Sequence, residues 1–307
     1  MDSSLAVSSL RRTEIKTSDT LGVVFEPAGG SDHFAVFLGG NSGGVPEPPA
    51  QRLADNGVSV FALAYHGAPG LPTGLVEIPI ESVQRGIEVF RERFASHRGI
   101  GVMGISKGAE LALVVAAHLG GAVDRVVAVA PPHVTWNGLK PFRPGVDRRS
   151  NKSSWSLHGV PLAFLQSPLE IKPVFNKLGL RTDAFYDLAR HQPAEVDAAR
   201  IPVERSAGPI LLISGDDDHM WPSVPMAEEV VRRMVDHGRG DEVTSVVYPR
   251  AGHAFLLHDF MTPPGSGAGQ ALDFGGSAEA DSIACEDAWR RSVAFLKASR
   301  VPAVGPR

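Results

Sequence analysis

The stretch GVMGISKGAELAL, residues 101–113, sets Ser106 between Gly104 and Gly108 where an apolar run gives way to a helix-forming pattern. A strand-to-helix turn this sharp forces its central residue into an unfavourable backbone conformation. Side chains two residues before and two after would collide, so glycine is needed at both places. The serine hydroxyl then stands at the N-terminus of the following helix, where the Lys107 amide and the helix dipole favour negative charge. That placement suits a nucleophile attacking a carbonyl, and a serine nucleophile needs a base.

Where such a serine is served by a triad, the chain order is Ser, Asp or Glu, His. Of the eleven histidines, His253 in VVYPRAGHAF follows the last strand-like run behind a glycine turn and fits the base, with His258 as its rival. His33, His97, His118, His133, His158, His191 and His237 lie before strands, in helices or in a long insertion, and are expected to be structural. The acid should follow the run PILLISG, where GDDDHMWP offers Asp216, Asp217 and Asp218; Asp218, three beyond Gly215, is the choice to orient the imidazole. The second oxyanion donor, beside the Lys107 amide, is expected from GGNSGG after HFAVFLGG, at Gly40 or Asn41. His66, after the 58–65 run, is expected to line the pocket without being the base.

Apolar runs alternate with amphipathic ones along the chain. Strands are expected at 33–40, 58–65, 99–104, 124–131, 209–215 and 242–249. Between them, PAQRLADNG makes a short helix closed by Gly57, and Ile80, Val83, Ile87, Phe90 and Phe94 share one helical face. Further helices are expected from Lys107 to about Leu119 and within 223–236. This rhythm implies an α/β fold with a mostly parallel sheet and helices on both faces. One domain over residues 1–307 is expected. Within it, 132–208 forms a lid-like insertion over the sheet's C-terminal edge, and 261–280 a mobile surface loop.

Composition narrows the chemistry further. A net charge of −4 gives no general reason to bind nucleic acid or an anionic membrane. No run approaches the roughly 20 apolar residues of a membrane span, and the start lacks a signal-peptide core, so a cytoplasmic protein is expected. The single cysteine, Cys285, excludes an internal disulfide and a cysteine-based zinc cluster, and its place in a late helix suits apolar burial. The glycine loop lacks the Gly-Lys-Ser/Thr of a phosphate-binding loop. No cofactor or metal is expected, and a homodimer is left open.

GVMGISKGAELAL resembles the nucleophile elbow of the acyl-CoA thioesterase and bile acid-CoA:amino acid N-acyltransferase family, in which Gly-Ile-Ser-Lys-Gly followed by Gly or Ala and Glu is typical. The resemblance extends in order through GVSVFALAYHGAPGLP, SSWSLHGVPLAFL, SGDDDHMWPS and YPRAGHAF, covering most of residues 20–260. It implies an α/β-hydrolase fold with Ser106 as nucleophile, Asp218 as acid and His253 as base. Glu110 matches the family's glutamate and is expected to fix the elbow helix. Animal members usually carry a β-sandwich domain ahead of the hydrolase domain. This chain begins almost directly with the hydrolase pattern, so substrate contacts from such a domain are expected to be absent. After the last strand, GHAFLLHDF departs from the family's usual Gly-His, apolar residue, Glu, Pro and Pro.

The resemblance implies a small-molecule acyl thioester substrate, carried on coenzyme A or another carrier, cleaved through an acyl-enzyme. A carboxylesterase or lactone hydrolase is the alternative, as is an acyltransferase passing the acyl group to an amine; family transferases commonly use cysteine, so Ser106 favours hydrolysis. The run KPFRPGVDRRSNK supplies Lys140, Arg143, Arg148, Arg149 and Lys152 as cations for coenzyme A phosphates, although charge runs more often serve as a solvated face.

Overall fold

β-Branched and apolar residues build a central sheet that is buried on both sides. A computed structural model describes residues 10–95, 99–141, 143, 146–171, 174–175, 179–260 and 272–298. In chain order its main strands and helices are β1 (Leu10–Lys16), β2 (Leu21–Pro27), β3 (Phe34–Leu38), α1 (Glu47–Asp55), β4 (Ser59–Ala64), α2 (Glu81–Phe90), β5 (Ile100–Ile105), α3 (Lys107–His118), β6 (Arg125–Val129), β7 (Ile210–Gly215), α4 (Ser223–Asp236), β8 (Val243–Tyr248) and α5 (Ala278–Lys297). The sheet has eight strands in the order β1-β2-β4-β3-β5-β6-β7-β8. β2 is antiparallel to both β1 and β4, and every pairing from β4 to β8 is parallel.

Strand alternation divides the core into two layers. In β3, Phe34, Val36 and Leu38 face α2, α3 and α4, whereas Ala35 and Phe37 face α1 and α5. Phe37 stacks on Trp289 of α5, ring centroids 6.4 Å apart. Cys285 is buried in the same layer, as its helical position suggests. The face read from the spacing of α2 is the one that packs: Val83, Ile87 and Phe90 are fully enclosed.

All six strands read from the sequence are present to within two residues. The hairpin β1–β2 escaped that reading. β1 lies at the sheet edge and buries only Ile15 deeply, so its apolar signal is thin. Residues 132–208 leave the end of β6 and hold short strands, Asn137–Leu139 paired with Arg149–Ser153, and a helix, Pro193–Ala199. Val134, Trp136, Leu165 and Val196 of this segment form an apolar cluster with Trp221 and Met226, which follow the end of β7. The segment therefore rests on the residues that leave the C-terminal ends of the strands. His97 and residues 261–271 of the expected surface loop lie outside the described residues. The rest of that loop is not free: 272–276 packs against the residues after β7, and α5 begins at Ala278. Among the described residues no helix is long and apolar enough to cross a membrane.

His133 shows how a histidine serves packing. It is 3% exposed, and neither ring nitrogen has a hydrogen-bond partner among the described residues. Burial pushes its pKa down to about 4, against the attraction of Glu229 and with added repulsion from Arg200 and Arg232. The unfolded chain takes up this proton near pH 6.5, so the stability that neutral His133 contributes is complete above that pH and lost as pH falls toward 4. Urea unfolding between pH 7.5 and 4 should show His133→Leu losing up to about 3 kcal/mol less than the parent protein. Equal losses in the two proteins would contradict this.

Candidate active site

β5 ends at Ile105 and α3 begins at Lys107, leaving Ser106 alone on the turn with φ +56° and ψ −122°. A non-glycine residue pays roughly 1–3 kcal/mol for such a conformation, so its surroundings must enforce it. They do so through backbone crowding. A Cβ at Gly104 would fall 2.1 Å from the Gly108 carbonyl oxygen, and one at Gly108 would fall 2.3 Å from the carbonyl oxygens of both Leu38 and Gly39. The Ser106 amide donates to the Val129 carbonyl at 2.9 Å, and its own carbonyl accepts the Glu110 amide at 3.0 Å.

The glycines also let the elbow press against the loop after β3. Gly40 packs beside Ser106, since a Cβ there would lie 3.6 Å from the serine Cβ. The Tyr65 hydroxyl donates to the Gly39 carbonyl at 2.6 Å and lies 3.4 Å from the Gly40 carbonyl. Burial, reinforced by the charge of Glu110, pushes the Tyr65 phenol up and keeps it a donor.

The loops after β7 and β8 bring the other two residues together. His253 Nδ1 meets Asp218 Oδ2 at 2.8 Å, with side chains 6% and 3% exposed. The second carboxylate oxygen of Asp218 accepts the amides of Met220 at 2.9 Å and Trp221 at 3.2 Å. Of the three aspartates offered by the sequence, only Asp218 faces His253: Asp216 accepts the Arg250 amide, and Asp217 pairs with His219 at 3.0 Å. The His253 amide donates to the Phe274 carbonyl at 2.7 Å, the Phe274 ring stacks on the imidazole, and Trp221 meets it edge-on. His219 also reaches Asp273 at 2.9 Å and so ties the Phe274 segment to the acid loop. His258 is in the turn Phe255–Phe260, off the cavity wall.

Gly40, Asn41, Ser106, Lys107 and His253 line one cavity of about 300 Å³. Its remaining wall is largely apolar, with Leu139, Tyr186, Trp221, Leu257, Leu272 and Phe274. His66 does not line it. It is buried behind the loop after β3, its ring tilted against that of Tyr65, with Nε2 3.1 Å from where a Gly43 Cβ would stand. Strand-end position alone placed it on the pocket; the tight Gly43–Gly44 turn, whose Gly44 amide donates to the His66 carbonyl, puts the loop between ring and cavity.

The side chain of Lys107 turns the other way, into the protein. Its ammonium meets Glu110 Oε2 at 2.8 Å and the Ser154 hydroxyl at 2.8 Å, and Glu110 Oε1 accepts the Trp136 amide at 3.1 Å and the Trp155 indole at 2.7 Å. Both ions are enclosed. Burial pulls Lys107 down and Glu110 up, and each is opposed by the charge of the other. Except for Lys107 and Glu110 themselves, every group in this network belongs to 132–208, so the pair fastens that segment to the first turn of α3. The basic run is largely committed elsewhere: Arg149 pairs with Asp147 and stacks over Phe185, and Lys152 pairs with Glu77.

The family model described as BAAT / Acyl-CoA thioester hydrolase C terminal matches residues 80–300. The chain belongs to this family. Its relatives include mouse acyl-coenzyme A thioesterase 2, mitochondrial, 29% identical over 295 residues that make up 94% of this chain and 60% of that protein. Mouse acyl-coenzyme A thioesterase 1 is likewise 29% identical, matched over 94% of this chain and 65% of its own length. The chain thus spans under two thirds of these relatives. The fold is that of the α/β-hydrolases. An esterase from Pyrococcus furiosus superposes with a TM-score of 0.54 at 17% identity, over 94% of this chain and 90% of that one. An α/β-hydrolase enzyme from a deep-sea metagenome does so with a TM-score of 0.54 at 10% identity, over 94% and 98%. The Lys107–Glu110 pair of this family member lends itself to a direct test. Glu110→Ala should cost about 3–5 kcal/mol in urea unfolding by stranding the buried ammonium, and Lys107→Met with Glu110→Gln should recover more than half of that loss. A double variant as unstable as the single one would contradict a paired network.

Proposed function

We propose that the protein is a serine hydrolase that cleaves acyl thioesters through an acyl-enzyme on Ser106. The observation that carries this reading is the convergence of Ser106, held up on its strained turn, with the Asp218-paired imidazole of His253 and the loop after β3 on a single cavity. Because Nδ1 of His253 donates to Asp218, Nε2 is left as the acceptor for the serine proton. Asp218 is held in turn by two amides, which fixes the imidazole plane.

In the first step Ser106 Oγ bonds to the acyl carbon as its proton passes to His253, and the carbonyl oxygen gathers negative charge. The amides of Lys107 and of Gly40 or Asn41 receive that charge. Collapse breaks the carbon–sulfur bond, and the departing sulfur takes the proton that His253 received from Ser106, so the thiol leaves and the imidazole is again neutral. A thiolate leaves readily at neutral pH, so this step asks little of His253 as an acid. Water, deprotonated by His253, then attacks the acyl-enzyme, the carboxylic acid departs and Ser106 regains its proton. The apolar wall of Leu139, Trp221, Leu257 and Phe274 suits the hydrocarbon part of an acyl group. The family match and the names of the relatives favour a thioester, with coenzyme A as the carrier.

Ser106→Ala should lower kcat by at least about 10⁴-fold while leaving the thermal melting curve unchanged, and His253→Ala should lower kcat to a similar extent. For matched acyl groups, kcat/KM should be higher for the coenzyme A thioester than for the oxygen ester. The reverse order would make the protein a carboxylesterase. Amide product on addition of an amine would make it an acyltransferase.

A further inference from the structure

Three successive carbonyls in the loop after β3 are drawn away from the cavity. Tyr65 holds those of Gly39 and Gly40, and Arg148 Nη2 donates to that of Asn41 at 3.3 Å. Neither Tyr65 nor Arg148 lines the cavity, whereas Gly40, Asn41 and Ser42 do. The described chain has no cis peptide, so each N–H points opposite to the carbonyl before it. Holding the carbonyls of residues 39–41 outward therefore turns the amides of Gly40, Asn41 and Ser42 inward. Tyr65 comes from the end of β4. Arg148 comes from the 132–208 segment, 107 residues beyond Asn41.

Arg148 is half-buried, and its other described side-chain hydrogen bond is from Nε to the Lys140 carbonyl at 3.0 Å. Among the described residues it has no carboxylate partner, in contrast to Arg149 beside it. Its charge is felt at His66 behind the same loop, which burial pushes down against the pull of the Asn41 carbonyl, with Arg148 pushing it further. Behind the loop there is thus a guanidinium with no carboxylate partner among the described residues, beside an imidazole whose pKa burial pulls down.

We propose that Arg148 is a positioning residue for the reaction. It fixes the Asn41–Ser42 peptide, and with it the end of the loop whose Gly40 and Asn41 amides are the oxyanion donors proposed above, and it sets positive charge behind them without touching substrate. This rests on the serine-hydrolase reading above. It also gives the 132–208 segment a part in completing the oxyanion site, and it gives Arg148 a role other than holding coenzyme A phosphates.

The test compares the parent protein with Arg148→Met, Arg148→Lys and Arg148→Ala on three probes: an acyl-CoA, an uncharged p-nitrophenyl ester of the same acyl group, and a fluorophosphonate that labels the nucleophile. A positioning role predicts that Arg148→Met loses about tenfold in kcat on both substrates and in labelling rate, with KM within about twofold. Arg148→Lys should recover part of the loss, and added guanidinium should restore part of the activity of Arg148→Ala. Unchanged kcat and labelling in Arg148→Met would overturn the proposal. So would a loss confined to KM for acyl-CoA, which would make Arg148 a contact for the anionic leaving group. Failure of the parent protein to label at Ser106 would remove the serine-hydrolase reading, and the Arg148 proposal with it.

Discussion

One steric constraint governs the site: Ser106 must sit at positive φ, and no Cβ fits at either flanking glycine. The crowding at Gly108 comes from the carbonyls of Leu38 and Gly39, so the elbow and the start of the glycine loop are in backbone contact. The position of the serine and that of the candidate oxyanion donors are consequently one structural fact. A looser turn would relax the serine and at the same time open the gap between Lys107 and Gly40. The hydrogen bond from the Ser106 amide to Val129 anchors the turn to the neighbouring strand, so the strain is borne by the centre of the sheet.

Around this fixed point the protein spends buried charge. An enclosed ion pair such as Lys107–Glu110 is often no more stabilising than apolar residues of the same size. Its physical effect here is directional: the Trp136 amide and the Trp155 indole reach Glu110, and the Ser154 hydroxyl reaches Lys107, only where the 132–208 segment lies against the first turn of α3. The same segment carries Tyr186, which lies edge-on between Trp136 and Trp221 and forms part of the cavity wall. The chain is thus clamped at two levels, by apolar packing above the cavity and by the ion pair below it. His219, between Asp217 and Asp273, fastens the opposite wall.

Much of this was legible in the sequence because it follows from local chemistry. The glycine spacing around Ser106, the alternation of strands with helices, and the acid and base on loops after late strands are all short-range patterns. The structure brings Ser106, Asp218, His253, Lys107, Gly40 and Asn41 to one place. What was not legible depends on residues distant in the chain. His66 stands at a strand end like a pocket residue, yet a two-glycine turn screens it. Glu110 was matched to a structural role, but its partners Trp136 and Trp155 lie 26 and 45 residues away, and nothing in their local pattern points to it. Phe274 sits in a run of glycine and small polar residues that reads as surface loop. Its contact with His253 depends on Asp273 and Gly276, which pair with His219 and Asp217 after β7, more than fifty residues back in the chain. Of Asp216, Asp217 and Asp218, only Asp218 pairs with His253, because the Arg250 amide occupies Asp216 and His219 occupies Asp217, partners distant from the local pattern.

The most direct measurement is a crystal structure of the protein after reaction with a fluorophosphonate, whose tetrahedral phosphorus imitates the acyl-transfer intermediate. The account predicts phosphorus bonded to Ser106 Oγ, one phosphonyl oxygen about 3 Å from the amides of Lys107 and of Gly40 or Asn41, and Nε2 of His253 within hydrogen-bond reach of Ser106 Oγ. An adduct on another residue would contradict it, as would one on Ser106 whose phosphonyl oxygen meets no amide.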